Sequence, residues 1–227
     1  MKKTVGIIGG MGPMATADLF KKIIMNTPAS KDQEHLHVLI DNNTNIPDRT
    51  AALLENAESP LPQLKESADR LANAGAEFLI MPCNTAHGFY EPLSAYAKIP
   101  VLNMIELTMK ALKKDGISCA ALFATTGTIR TGIYQKYAGD IELLLPDEEE
   151  QDALMDMIYG GVKAGKTDFG ASKVQKAAER LQKAGAQAII LGCTELPLAY
   201  EQYGLEFANV DPTLVLAKGA VAYALGK

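Results

Sequence analysis

The sequence predicts an α/β protein of two pseudo-symmetric domains, each a short, mostly parallel sheet flanked by helices, with the active site in the cleft between them. Three observations carry this. Short β-type runs alternate with helical patterns along all 227 residues, which is the pattern of parallel sheets covered by helices on both faces. One half echoes the other at a fixed offset. Two cysteines fall at matching ends of that echo, where open α/β sheets hold their ligands.

The predicted strands are 4–9, 36–40, 78–82, 101–104, 119–124, 141–145, 188–191 and 206–210. Helical patterns occupy 14–25, 62–74, 105–114, 148–163, 173–184 and 212–225. The domains are placed at 1–104 and 105–211. The run Asp147-Glu148-Glu149-Glu150 after Pro146 suits the first turn of a helix, where carboxylates meet the positive end of the dipole.

The echo is specific. Arg70-Leu71-Ala72-Asn73-Ala74-Gly75-Ala76 precedes an apolar run ending at Cys83, and Arg180-Leu181-Gln182-Lys183-Ala184-Gly185-Ala186 precedes one ending at Cys193. The offset is 110 residues throughout. Gly75 and Gly185 suit helix ends that need positive φ. A weaker echo links Gly9-Gly10-Met11-Gly12 to Ala124-Thr125-Thr126-Gly127.

Bulk properties narrow the function. A hydrophobic content of 48% suffices for one large core or two compact ones. A net charge of −5 and a pI near 5.3 argue against non-specific nucleic-acid binding. No apolar run approaches the roughly 20 residues that span a bilayer. Met1-Lys2-Lys3 and the apolar residues after it superficially resemble an export signal, but Gly6, Gly9, Gly10, Gly12 and Pro13 interrupt the stretch. It reads as a first strand, and a cytoplasmic location is expected. Three cysteines without Cys-x-x-Cys spacing fit neither a disulfide framework nor a thioredoxin-type motif. His35, His37 and His87 make no zinc spacing with the cysteines, so no metal is expected.

Each echoed cysteine is followed by polar groups: Asn84 and Thr85 after Cys83, Thr194 and Glu195 after Cys193. A helix starting there offers free N–H groups that hold anions and lower a thiol pKa. From the usual value of about 8.5, a small downward shift poises one thiol as base and the other as acid. Cys119, without an echoed partner, is expected in the core. Met11 and Gly12 lie in a loop read as anion-binding; Gly10-x-Gly12-x-x-Ala15 also fits a degenerate dinucleotide fingerprint, without a clearly placed acid farther on. Thr126, Gly127 and Thr128 form either a helix cap or a cradle for a substrate carboxylate. Arg49 is either a surface ion pair or a bidentate holder of a second carboxylate. Lys163 suits a helix C-terminus, and His87 a helix surface or a supporting role.

Gly-Gly-Met-Gly-Pro at 9–13, Pro-Asp-Arg-Thr at 47–50, Met-Pro-Cys-Asn-Thr-Ala-His at 81–87, Ala-Thr-Thr-Gly-Thr at 124–128 and Gly-Cys-Thr-Glu at 192–195 resemble the aspartate racemases of the aspartate/glutamate racemase superfamily. The resemblance implies two pseudo-symmetric domains with the final helix, 212–227, packing back on the first. It also implies a homodimer, no pyridoxal phosphate or other cofactor, and an acidic amino acid as substrate. Cys83 and Cys193 then look like the base and acid of a two-base mechanism. Asn84, Thr85, Thr126, Thr128 and Thr194 look like the grip on the α-carboxylate and amino group, and Arg49 and Lys163 like the side-chain carboxylate clamp and gate. Glutamate racemases carry Asp-Ser-Gly in the first loop and Thr-His after the second cysteine; Gly-Gly-Met-Gly-Pro and Glu195 here favour aspartate. Open alternatives are a broad-specificity racemase, a cysteine-dependent dicarboxylate isomerase, and a non-enzymatic dinucleotide- or carboxylate-binding module.

Overall fold

The computed structural model describes residues 2–227. Strand β1 (Val5–Gly9) is buried at every position and lies between β2 (Val38–Asn42) and β3 (Phe78–Ile80), giving the order β2-β1-β3. In the second sheet β4 (Cys119–Ala124) lies between β5 (Glu142–Leu144) and β6 (Ala188–Gly192), with β7 (Asn209–Val210) beyond β6. All these pairings are parallel. Strands covered on both faces need no polar side, which is why β1 and β6 read as unbroken apolar runs.

The repeat seen in the sequence is a repeat of sheets. The N–H of Leu79 donates to the carbonyl of Pro100 at 2.8 Å, and that of Ile189 to Ala208 at 2.9 Å. A Glu77 carboxylate oxygen accepts from the Thr4 N–H at 2.7 Å, as the Gln187 amide oxygen accepts from Ser118 at 2.8 Å. Only the fourth place differs: β7 fills it in the second sheet, and a single parallel bridge from Leu79 to Val101 fills it in the first.

The first half carries helices α1 (Pro13–Asn26), α2 (Arg49–Leu54), α3 (Leu61–Asn73) and α4 (Tyr90–Tyr96). The second carries α5 (Met104–Lys114), α6 (Thr126–Arg130), α7 (Gln135–Ala138), α8 (Glu148–Met155), α9 (Ser172–Lys183) and α10 (Leu196–Gln202). The last helix, α11 (Pro212–Ala224), returns to the first sheet, where Leu216, Ala217 and Ala220 pack with Val5, Ile7 and Leu19. Its small side chains allow close approach, and Lys22 of α1 pairs with Asp211 at its N-cap at 2.6 Å.

Helices α3 and α9 end alike. Gly75 (φ +100°) and Gly185 (φ +113°) adopt the left-handed turn, and Ala76 and Ala186 each donate back five residues at 3.0 Å. The acidic run begins α8 with a capping box between Asp147 and Glu150.

Several predicted elements differ; the 78–82 and 141–145 strands are trimmed to Phe78–Ile80 and Glu142–Leu144. Strand β2 runs two residues later than 36–40, because Asp41 and Asn42 continue the ladder with Ile8 and Gly9. The 101–104 strand stops after one bridge, since Asn103 Oδ1 accepts from the N–H groups of Ile105 and Glu106 and starts α5. Strand β7 is shorter than 206–210, as Phe207 turns into the core of the second half. The helix over 148–163 is α-helical only to Met155; Asp156–Val162 is a π-helical segment, closed by the Lys163 N–H on the Ile158 carbonyl at 3.0 Å.

Candidate active site

Cys83 follows β3 and Cys193 follows β6, so the fold delivers both thiols to the carboxyl ends of the two sheets. They line one nearly closed cleft of about 10 Å³. Both are buried, at 5% and 6% exposure, and neither forms a disulfide. Around them stand Met11, Asp48, Arg49, Thr50, Asn84 and Thr85 from the first half, and Thr125, Tyr159, Lys163, Thr194 and Glu195 from the second.

The surroundings of the thiols differ in charge. The Cys193 thiol donates to Glu195 Oε2 at 3.0 Å, and the Thr194 hydroxyl donates to the same oxygen at 3.3 Å. Burial, then the Glu195 charge and hydrogen bond, push the Cys193 thiol well above the usual range, with Lys163 pulling the other way. The lowered thiol expected from a helix start is therefore reversed here: a buried sulfur facing a carboxylate keeps its proton. Lys163 Nζ lies 3.6 Å from the other Glu195 oxygen and 5.0 Å from the Tyr159 ring centre.

Arg49 lies on the Cys83 side. It opens α2, whose N-cap Asp48 accepts from the Ala51 N–H at 2.9 Å. Its Nη1 donates to the carbonyls of Ile46 and Pro47, at 3.2 and 3.0 Å, while its buried Nε has no partner among the described residues. Burial opposes the Arg49 charge, but the Cys83 sulfur and Asp48 outweigh it and raise its pKa. Lys163 follows the same logic: burial lowers it, and Glu195, Cys193 and Cys83 more than offset that. Both cations keep their charge.

Neutral donors complete the cleft. The Asn84 Nδ2 is buried and without a partner among the described residues. The hydroxyls of Thr85, Thr125 and Thr128 form a triangle at 2.8, 3.0 and 3.1 Å, joining the two halves.

Of the residues singled out in the sequence, the cleft brings together Cys83, Cys193, Met11, Arg49, Asn84, Thr85, Lys163, Thr194 and Glu195. Gly12 lines an adjoining recess of about 250 Å³ that shares Met11, Arg49, Lys163 and Glu195 with the cleft. Thr126, Gly127 and Thr128 stand behind it. The Thr126 hydroxyl accepts from Gln151 Nε2 at 3.3 Å, and Gly127 lets α6 approach Thr50, whose Oγ1 is 2.9 Å from where a Cβ would stand. Thr125, Asp48, Thr50 and Tyr159 line the cleft without having been singled out as site residues. The first three sit inside quoted motifs; Tyr159 carries no signal, because an aromatic in a helical pattern reads as core.

His87 takes the supporting one of its two expected roles, and one further expectation, for Cys119, changes. His87 is buried, not on a helix surface: Nε2 accepts from the Met104 N–H at 3.1 Å, so Nδ1 carries the proton and donates to the Cys83 carbonyl at 2.8 Å. Burial lowers its pKa to about 4, with the hydrogen bond to Cys83 opposing. Cys119 is half-exposed at the start of the edge-paired end of β4 and does not lie in the core.

Residues 8–220 match the family model described as Asp/Glu/Hydantoin racemase. The chain belongs to the Asp/Glu/hydantoin racemase family. It is thus a racemase, an isomerase by reaction class. The broad specificity amino-acid racemase RacX of Bacillus subtilis is 26% identical over 223 residues, covering 96% of each chain. The structure of Picrophilus torridus aspartate racemase superposes with a TM-score of 0.86 at 33% identity, over 98% of this chain and 94% of that one. A Francisella tularensis glutamate racemase, solved with D-glutamate, has a TM-score of 0.67 at 19% identity, over 99% and 82%, a likeness of fold alone. Among the described residues no helix is long and apolar enough to cross a membrane.

Proposed function

We propose that this racemase interconverts L- and D-aspartate by a two-base transfer of the α-proton between Cys83 and Cys193. The observation that carries the proposal is the pair of buried thiols sharing one cleft from equivalent strand ends of two similar halves. A Cys83 thiolate takes the α-proton on one face and the Cys193 S–H supplies a proton to the other. The thiol and thiolate have then exchanged places, and the opposite enantiomer starts from that state. Cys193, held protonated beside Glu195, begins as the donor.

The α-carboxylate is assigned to the Asn84 amide with Thr85, Thr125 and Thr194, and the side-chain carboxylate to Arg49 and Lys163. Asp48 and Glu195 share the cleft with these two cations and Lys163 is paired with Glu195, so the second carboxylate falls chiefly to Arg49, whose buried Nε has no partner among the described residues. A chiral amino-acid assay tests this: L-aspartate gives a mixture of enantiomers, with kcat/KM above that of L-alanine. Failure to turn over either enantiomer of aspartate overturns the substrate assignment.

A broader substrate range has one observation in its favour. The recess beside the cleft is walled by Met11, Met14 and Val162 next to Arg49 and Lys163, giving room for longer side chains. Turnover of glutamate or of longer, uncharged amino acids at rates near that of aspartate decides for this second reading. A homodimer belongs to the proposal too. Met14, Phe20, Ile24 and Met25 leave apolar surface exposed on α1, and sedimentation at twice 24.3 kDa is the expected result.

A further inference from the structure

Tyr134 lies 50 positions from Asn84, in the other half of the chain, and is fully buried. Its ring packs in the core with Ile105, Met109, Ala120 and Leu122. Its hydroxyl is 2.6 Å from Asn84 Oδ1, its one side-chain hydrogen-bond partner among the described residues. A phenol O–H has one proton to donate, while a carboxamide has an acceptor end and a donor end. If the amide were turned over, its N–H₂ would donate to the phenol and the phenol proton would be left unpaired in an apolar core. The observed orientation avoids this. Burial, with Asp211 and Cys193 nearby, pushes the phenol well above its ordinary value, so the proton stays on.

The other end of the amide has the complementary property. Asn84 Nδ2 is buried, unpartnered among the described residues, and belongs to a side chain that lines the cleft. A buried donor without a partner is uncommon in folded proteins. A ligand oxygen in the cleft would satisfy it.

We propose that Tyr134 is a positioning residue for substrate selection: it holds the Asn84 carboxamide with its N–H₂ toward the cleft, as a fixed donor to a ligand carboxylate. The identity of that carboxylate as the substrate's α-carboxylate rests on the function proposed above. Tyr134 acts through Asn84 and touches no reacting atom. Because the two residues come from different halves, the contact also ties the amide's orientation to the closure of the halves on each other.

The test is a double-mutant cycle of Tyr134→Phe and Asn84→Ala, read in two assays. Phenylalanine keeps the ring and removes only the O–H. The first assay is aspartate racemisation with KM and kcat separated. The second is protection of the thiols from iodoacetamide by succinate, which reads carboxylate binding without turnover. Tyr134→Phe is expected to raise KM, and the succinate concentration for half-protection, by about ten-fold, with kcat changed less. In the Asn84→Ala background it adds nothing. Equal losses in both backgrounds, or an unchanged half-protection concentration in Tyr134→Phe, overturn the assignment, as does wild-type protein that succinate fails to protect. A ten-fold loss of protection in a protein that racemises nothing upholds the Tyr134 role and removes the racemase substrate reading.

Discussion

His87 makes stability depend on pH in a way that a single substitution isolates. The unfolded imidazole titrates near 6.5 and the folded one at about 4. Between those values the unfolded chain takes up a proton that the folded protein refuses, because charging the ring puts a proton on Nε2, where the Met104 N–H already points. The neutral ring's contribution is therefore complete above pH 6.5 and is lost as the pH falls toward 4. At 1.36 kcal/mol per pH unit the loss is about 3 kcal/mol, a large share of a typical domain's stability. His87→Gln retains a donor and an acceptor but does not titrate. Urea unfolding of both proteins from pH 7 to pH 4 is the assay, and the wild type is expected to lose about 3 kcal/mol more than the variant. A stability difference that stays flat across this range refutes the assignment of His87 as a buried, neutral bridge.

Other expectations concern the cleft and its loops. Glu195→Gln removes the charge that raises the Cys193 thiol, so the pH profile for alkylation of Cys193 moves to lower pH; a profile that stays or rises contradicts the contact. Arg49→Leu is expected to raise the KM for aspartate by ten-fold or more, roughly the worth of one charge-assisted hydrogen bond, and to leave a substrate without a side-chain carboxylate nearly unaffected. Gly10→Ala is expected to destabilise the fold by about 2 kcal/mol or more in thermal unfolding, because φ is +94° and the new Cβ would collide with the Asn43 backbone carbonyl.

The parts legible in the sequence are those that depend on local periodicity or on the repeat. Buried central strands such as β1 and β6 announce themselves as apolar runs, and the offset of 110 residues pairs Cys83 with Cys193 before any contact is known. Edge strands are less legible, because Asp41 and Asn42 pair through the backbone whatever their side chains. Which of two adjacent hydroxyls faces the cleft depends on where the helix begins: Thr125 caps α6 in an extended conformation, while Thr126 is already in the helix and turns to Gln151. The π-helical segment that carries Tyr159 and Lys163 has no periodicity distinct from an ordinary helix. The Cys193 environment is illegible for a different reason. A helix start is visible in the chain, but the burial of the sulfur and the aim of Glu195 exist only in three dimensions.

The most direct test of the paired-thiol chemistry is racemisation in D₂O by the wild type, Cys83→Ala and Cys193→Ala. The wild type should yield the inverted enantiomer with one solvent deuteron at the α-carbon, since the donated proton comes from a thiol in exchange with solvent. Each single variant should fold and produce no inverted enantiomer, because one face of the α-carbon then lacks its base or acid. Inversion without deuterium in the wild type, or substantial inversion by either alanine variant, contradicts the two-cysteine mechanism.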